Sequence, residues 1–445
     1  EVPTELPEET EELPTELPEE TEEVSTEPAE EVEESSTESA EEVQESSTEP
    51  VDEVQELPTE EARPLVPWGW SWTPVAYPVP GAVPPPPPPV EREAWISWLR
   101  FAAIVGVVLI HLGSFTVASK PDDRVLELVA TAIDFFSRWA VPVFVMVSGA
   151  LLLDPARYPG TRVFMRKRVL RLVPALIFWH AVYVAYLVLV GDETYTASEM
   201  ARRILTGQLY TALYFFWLIL GLAAITPILV PWVKVTSHRV LLWTAVAAMA
   251  VPAFMVVSAP LRNTDWHTDV EWVQTSFTWF IPYLGYYLLG YALRDVVVKR
   301  LVLALVALVG LAGSVLLTWQ WGNVDGIGGR IEHYAPAEAY YGPTVVVVAV
   351  SVFLVARATI RPGGRLGWFS RGVLARIGTA LGGATLGVFV MHLLVFRWVL
   401  RLVWIGGPQG AESIGQLAAR CAAVLFVSYA IALTLARIPF LRRLV

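Results

Sequence analysis

Arg100 and His111 stand eleven residues apart within one long apolar run. On a helix turning ~100° and rising ~1.5 Å per residue, this spacing puts both side chains on one face, roughly 16 Å apart. Ionisable side chains in apolar helices are costly to bury and are functional candidates for that reason. A guanidinium binds anions, and a neutral imidazole can accept a proton from a hydroxyl near neutral pH. Ala103, Ile104, Val107 and Val108 line the stretch between them. The pair therefore suits a substrate with an anionic head at one end and its reactive group deep among the helices. The plainer alternative makes Arg100 a snorkelling anchor and His111 an interhelical hydrogen-bonding group.

Three further stretches carry chemical potential. Arg168-Val-Leu-Arg171 places two guanidiniums on one helix face, able to clamp phosphates, although basic residues also cap cytoplasmic helix ends for topological reasons alone. From Arg138 to Gly149 the chain combines a cation with Pro142, expected to kink the helix, and with Ser148-Gly149, which allows close backbone approach. His392 follows Leu386-Gly-Val-Phe-Val-Met in another apolar run, where nothing places it on the Arg100 face. His180 is a lone polar residue in an aromatic stretch, and His238, His267 and His333 fall in predicted loops. Asp134, four residues before Arg138, is placed to pair with it.

These residues need a scaffold, and composition indicates which kind. The 445 residues are 54% hydrophobic and 17% charged, with 18 Trp and a mean hydropathy of +0.48, which excludes an ordinary soluble enzyme. The net charge of −12 averages two unlike parts. Residues 1–62 hold 26 acids and no Lys or Arg, whereas residues 63–445 hold 32 Lys and Arg against 18 acids, a balance of +14. The acidic part is low in complexity, with too little apolar surface to offset the entropy of ordering, and is expected to be disordered. Residues 63–94 form a linker in which Trp68, Trp70, Trp72 and Tyr77 interleave with prolines, ending in the run Pro84–Pro89 that favours an extended spacer. Nothing before residue 95 has the apolar core of a secretory leader, so the first apolar run is expected to be a membrane helix itself. A single cysteine, Cys421, excludes an internal disulfide framework and a Cys-based zinc site, and no metal is expected. Positive charge scattered between apolar runs argues against a nucleic-acid binder.

From residue 95 the apolar runs reach the ~20 residues needed to span a bilayer. Spans are expected near 95–116, 130–153, 172–191, 208–232, 239–259, 274–293, 301–320, 342–360, 374–396 and 416–436, an all-α bundle of about ten transmembrane helices over 95–436 with a basic tail at 437–445. The connections after the even-numbered spans, with the C-terminal end, carry 19 Lys and Arg, and the opposite side at most nine. The positive-inside rule then puts both termini in the cytoplasm, with Asp265 and Glu332 in external loops.

Taken together these stretches resemble the integral-membrane acyltransferase 3 family, the O-acetylases that modify bacterial surface glycans. Arg100 and His111 match its Arg-x10-His element, and Arg168 and Arg171 its Arg-x-x-Arg. Ala140-Val-Pro-Val-Phe through Ser148-Gly149 resembles its Val-Pro-Phe-Phe-x-x-Ser-Gly stretch. Leu213-Tyr-Phe-Phe-Trp-Leu-Ile-Leu-Gly221 with Thr226-Pro227 resembles a further helix, and Tyr283-Leu-Gly-Tyr with Leu289-Gly290, then Gly387 to His392, match later landmarks in order. One departure is Ala212-Leu213-Tyr214 where relatives often carry His-Leu-Trp. The resemblance implies a bacterial plasma-membrane enzyme taking an acyl group, acetyl above all, from cytoplasmic acyl-CoA to a hydroxyl of an envelope glycan or glycolipid. It implies CoA phosphates against Arg100, Arg168 and Arg171, with Arg138, Ser148, Tyr214, Trp217, Tyr283 and His392 supporting substrate or structure. His111 is then the candidate general base, since a pantetheine arm of ~15–20 Å matches its distance from Arg100. An acyl-histidine intermediate is a second route.

Two other classes fit ten helices with intramembrane charge. A transporter or flippase of glycan precursors is disfavoured by the scarcity of ionisable residues in the fifth, seventh and eighth spans and by the lack of an inverted repeat. A non-catalytic anchor for the acidic tail would leave the Arg100–His111 geometry without a role.

Overall fold

The computed structural model describes residues 90–191, 195–264, 275–323, 327–402, 407 and 410–444, with side chains from Ala94 onward. The acidic segment, almost all of the proline-rich linker, Asp265 and His267 lie outside these residues. Among the described residues the architecture is wholly helical.

The first spans build the centre. Helix α1 (Val90–Ala118) is followed by α2 (Arg124–Phe135) and α3 (Ala140–Leu152). The Asp123 side chain accepts from the backbone N–H groups of Val125 and Leu126, satisfying donors that α2 would otherwise leave orphaned. The expected kink at Pro142 is instead a break over residues 136–139, and Pro142 falls in the first turn of α3, where its missing N–H has no carbonyl to serve. Helix α3 is buried along most of its length.

Around this centre stand α4 (Thr161–Val190), the short amphipathic α5 (Ala197–Leu205) with a Thr196–Glu199 capping box, α6 (Tyr214–Val235) and α7 (His238–Ser258). Helices α4, α6 and α7 contain Pro174, Pro227, Pro231 and Pro252, an interior use of proline that membrane helices tolerate. Helix α8 (Leu284–Leu293), α9 (Arg300–Trp321), α10 (Ile327–Tyr334), α11 (Pro343–Ile360), α12 (Gly372–Gly383), α13 (Thr385–Val399) and α14 (Ile414–Arg437) complete the chain. Leu189 and Leu301, at 80% and 84% exposure, are among many apolar side chains turned outward on α4, α7 and α9. Surface of that kind is stable against lipid rather than water.

By length and hydropathy eight helices can cross a membrane among the described residues, counting α2 with α3 as one, or nine if α12 and α13 form a single span bent by 58°. The expected span at 274–293 survives only as a 3₁₀ turn at Ile281–Tyr283 running into the ten-residue α8. That helix is buried on almost every side, so its length follows the protein around it rather than the bilayer. It meets α3 backbone to backbone, for a Cβ on Gly149 would overlap the Tyr287 carbonyl and one on Gly290 would overlap that of Met146.

Candidate active site

Thr161 starts α4 directly after Gly160, whose φ of +88° is open to glycine and strained for other residues. Two turns in, Arg168 and Arg171 reach a cavity of about 460 Å³ shared with Arg100, Lys167 and Arg157. Its walls are Phe144, Val147, Ser148 and Leu151 of α3, with Phe215 and Ile219 of α6. Arg168 lies 5.2 Å from the Phe164 ring one turn earlier, a cation–π contact that directs its guanidinium. Arg157, in the connection before α4, shares the Asp154 carboxylate with Arg294, at 3.2 and 3.0 Å. Burial, and then the nearby Arg294 charge, depress its pKa from the usual arginine value, and it remains a cation at neutral pH. Among the described residues lining this cavity there is no carboxylate. A pocket of five cations and apolar walls is chemically fitted to a polyanion carrying an apolar arm.

Arg100 is aimed by the break between α12 and α13. Its Nη2 donates to Thr385 Oγ1 at 3.0 Å, and that hydroxyl donates to the Gly382 carbonyl at 2.9 Å. Helix α12 comes close enough to do this because Gly378 and Gly382 face α1. A Cβ on the first would stand 2.6 Å from the Trp98 indole nitrogen, and one on the second 2.6 Å from the Ser97 carbonyl oxygen.

His111 opens into a second cavity, of about 330 Å³, with Val107 and Ile110 beside it on α1. Connecting segments, with the first residue of α6 and the end of the 3₁₀ turn, supply most of its lining: Gly207, Gln208, Tyr210, Thr211, Tyr214, Trp279, Tyr283, Tyr340 and Tyr341. Trp279 donates from Nε1 to the Thr206 carbonyl at 2.8 Å, with its ring 4.8 Å from that of Tyr214. Tyr286 donates to the Tyr340 carbonyl at 2.7 Å and pins that wall. The result is an aromatic box with a few hydroxyl and amide groups, the opposite in character to the arginine cavity.

His392 stands beside His111, correcting its expected independence: the two rings are 5.2 Å apart and inclined by 35°. His392 is wholly buried, and its Nδ1 lies 2.6 Å from the Phe389 carbonyl. A ring nitrogen facing a carbonyl oxygen must be the donor, so Nδ1 carries the proton. In the neutral ring Nε2 is then a lone-pair acceptor, and it has no protein partner among the described residues.

The remaining expected residues divide. Ser148, Tyr214 and Tyr283 line one or other cavity. Arg138 lines neither: it pairs with Asp134 at 2.8 Å, as the spacing suggested, and the same carboxylate accepts from Ser114 of α1 at 2.5 Å. Trp217 also lies outside both linings and donates to His180 Nε2 at 3.3 Å, while His180 Nδ1 faces the Leu176 carbonyl at 2.8 Å. His180 and Trp217 therefore tie α4 to α6. Sequence reasoning missed Thr385, Phe389, Trp279, Tyr340 and Tyr341; the aromatic connections offered the one readable trace. Among the described residues no three metal-ligating side chains gather.

No curated protein and no solved structure matches the chain significantly. Residues 93–433 match the model of a family described as an acyltransferase domain, a stretch that contains both cavities, every lining residue and all the helices except the start of α1 and the end of α14. Six motifs in order, a multi-span helical bundle and this match agree, and the chain belongs to the acyltransferase 3 family of integral-membrane acyltransferases.

Proposed function

We propose that this membrane acyltransferase moves a short acyl group, acetyl above all, from acyl-CoA to a hydroxyl of an envelope glycan or glycolipid. The observation that carries the reading is the pairing of two unlike cavities along one face of α1, a cationic one at Arg100 and an aromatic one at His111. The first suits the CoA phosphates and the second a sugar, whose apolar ring face stacks on aromatic side chains while its hydroxyls meet polar groups. The excess of Lys and Arg on one side of the bundle supports an orientation with the arginine cavity toward the cytoplasm, where acyl-CoA is found.

In this scheme a neutral His111 nitrogen accepts the proton of the acceptor hydroxyl as its oxygen adds to the thioester carbonyl. The C–S bond then breaks, and the CoA sulfur leaves with the proton returned from the imidazolium. Burial of the surrounding helices keeps the field of the charged groups unscreened by water.

The decisive measurement is acyl transfer by the purified protein in nanodiscs, supplied with labelled acetyl-CoA and a glycan acceptor. Transfer is expected. A protein that binds no acyl-CoA and releases no CoA while moving glycan precursors across the bilayer would instead be a transporter. Arg168→Ala and Arg171→Ala are each expected to weaken donor binding about tenfold to a hundredfold, the loss of a charge-assisted phosphate contact. Unchanged affinity in a folded variant would leave these arginines as topological anchors only.

A further inference from the structure

Phe389 is the one residue among those described that lines both cavities. Its ring lies 4.4 Å from Phe215 and 6.2 Å from Phe144, which belong to the arginine cavity, and 5.7 Å from His392, which faces His111. Thr385, Phe389 and His392 follow one another at i, i+4 and i+7 on α13, so they form a single stripe. At one end of that stripe Thr385 holds Arg100; at the other His392 stands against His111. The stripe thus runs alongside the Arg100–His111 face of α1, with the Phe389 ring between the two cavities.

A phenyl ring offers a thioester no proton, charge or hydrogen bond, so its contribution there is bulk and dryness. We infer that Phe389 is the steric partition of the transfer path, selecting acyl groups by girth and denying water access to the thioester. This rests on the reading that donor and acceptor occupy the two cavities. The unbranched β-alanine–cysteamine end of the pantetheine arm and a small acyl group can pass a displaced ring, whereas branching beside the carbonyl meets it. The same ring suppresses the side reaction in which water adds to the carbonyl, the C–S bond breaks and free acid and CoA thiol result.

The test compares wild type with Phe389→Leu, Phe389→Ala and Phe389→Trp in nanodiscs, using acetyl-CoA and isobutyryl-CoA with and without acceptor. Removing ring volume is expected to raise the isobutyryl-to-acetyl transfer ratio by about tenfold for alanine, less for leucine, as pocket discrimination of a few methyl groups does. CoA release without acceptor is expected to rise in the same order. Phe389→Trp is expected to slow transfer by a larger factor than it weakens donor binding. Leucine or alanine variants that bind donor normally, yet keep both the wild-type ratio and the wild-type release without acceptor, would overturn the partition. Should alanine not fold, leucine alone decides. A wild-type protein that transfers nothing from acyl-CoA would instead overturn the two-cavity reading, so the two failures are distinguishable.

Discussion

Two histidines share the chemical centre with different constraints upon them. His111 borders a cavity, whereas His392 is enclosed and has its tautomer set by the Phe389 carbonyl. His111→Gln is expected to lose turnover by ~10²–10⁴ with donor affinity kept, because an amide accepts hydrogen bonds but not the transferred proton. Turnover above about a tenth of wild type would make His111 structural and remove the base from the scheme. For His392 the fixed tautomer yields a finer expectation. His392→Gln keeps a polar atom near the Nε2 position and should retain more turnover than His392→Asn, which reproduces only the Nδ1 donor. Equal losses in the two variants, tracking a fall in thermal stability, would assign His392 to packing. The spacing of Arg100, His111, Arg168 and Arg171 was readable because each pair lies within one helix. The meeting of His111 with His392 was not, since it depends on how two spans far apart in the chain pack together.

Hydropathy located the elements well and their interruptions poorly. Apolar length alone outlines α1, α4, α6, α7, α9, α11 and α14, because each must cover a bilayer with satisfied backbone groups. The breaks arise instead from packing: the interval before α3, the short buried α8 and the 58° bend between α12 and α13. The last of these falls at Ala384, inside the apolar run expected to span 374–396. That bend is also what delivers Thr385 to Arg100, so small residues around it should matter for donor binding. A leucine at Gly382 would have to displace Ser97 and drive α12 from α1, and Gly382→Leu is expected to weaken both donor affinity and thermal stability. Gly383 has open space where a Cβ would go, and its neighbour Gly383→Ala should leave donor affinity unchanged and stability level or up by as much as ~1 kcal/mol. Similar effects from the two substitutions, in thermal unfolding and in donor titration, would dissociate the close approach from the arginine it positions.

At the scale of the whole molecule the charge pattern makes two expectations. All described residues lining the cavities lie at or after Arg100, and deleting residues 1–89 is expected to leave acyl transfer intact at equal expression. The sidedness of the bundle carries more weight, since the donor assignment depends on it. Arg157 and Arg365 in connections, with Lys167 in the second turn of α4, belong to the side rich in Lys and Arg, and Arg330 belongs to the other. Cys421 is the sole cysteine and is buried, so it can be replaced to give a clean background for single-cysteine labelling. In intact cells a membrane-impermeant maleimide is expected to label Arg330→Cys and to label Arg365→Cys only after permeabilisation, both positions being exposed on the protein surface. The reverse pattern would turn the arginine cavity outward, away from the cytoplasmic pool of acyl-CoA. Arg100, Arg168 and Arg171 would then face an external anion, and the donor would have to be sought among activated acyl carriers of the envelope. Labelling at the expected side would agree with the proposed scheme, in which the phosphates lie at the inner end of α1 and His111, three turns farther along the same helix face, activates the hydroxyl.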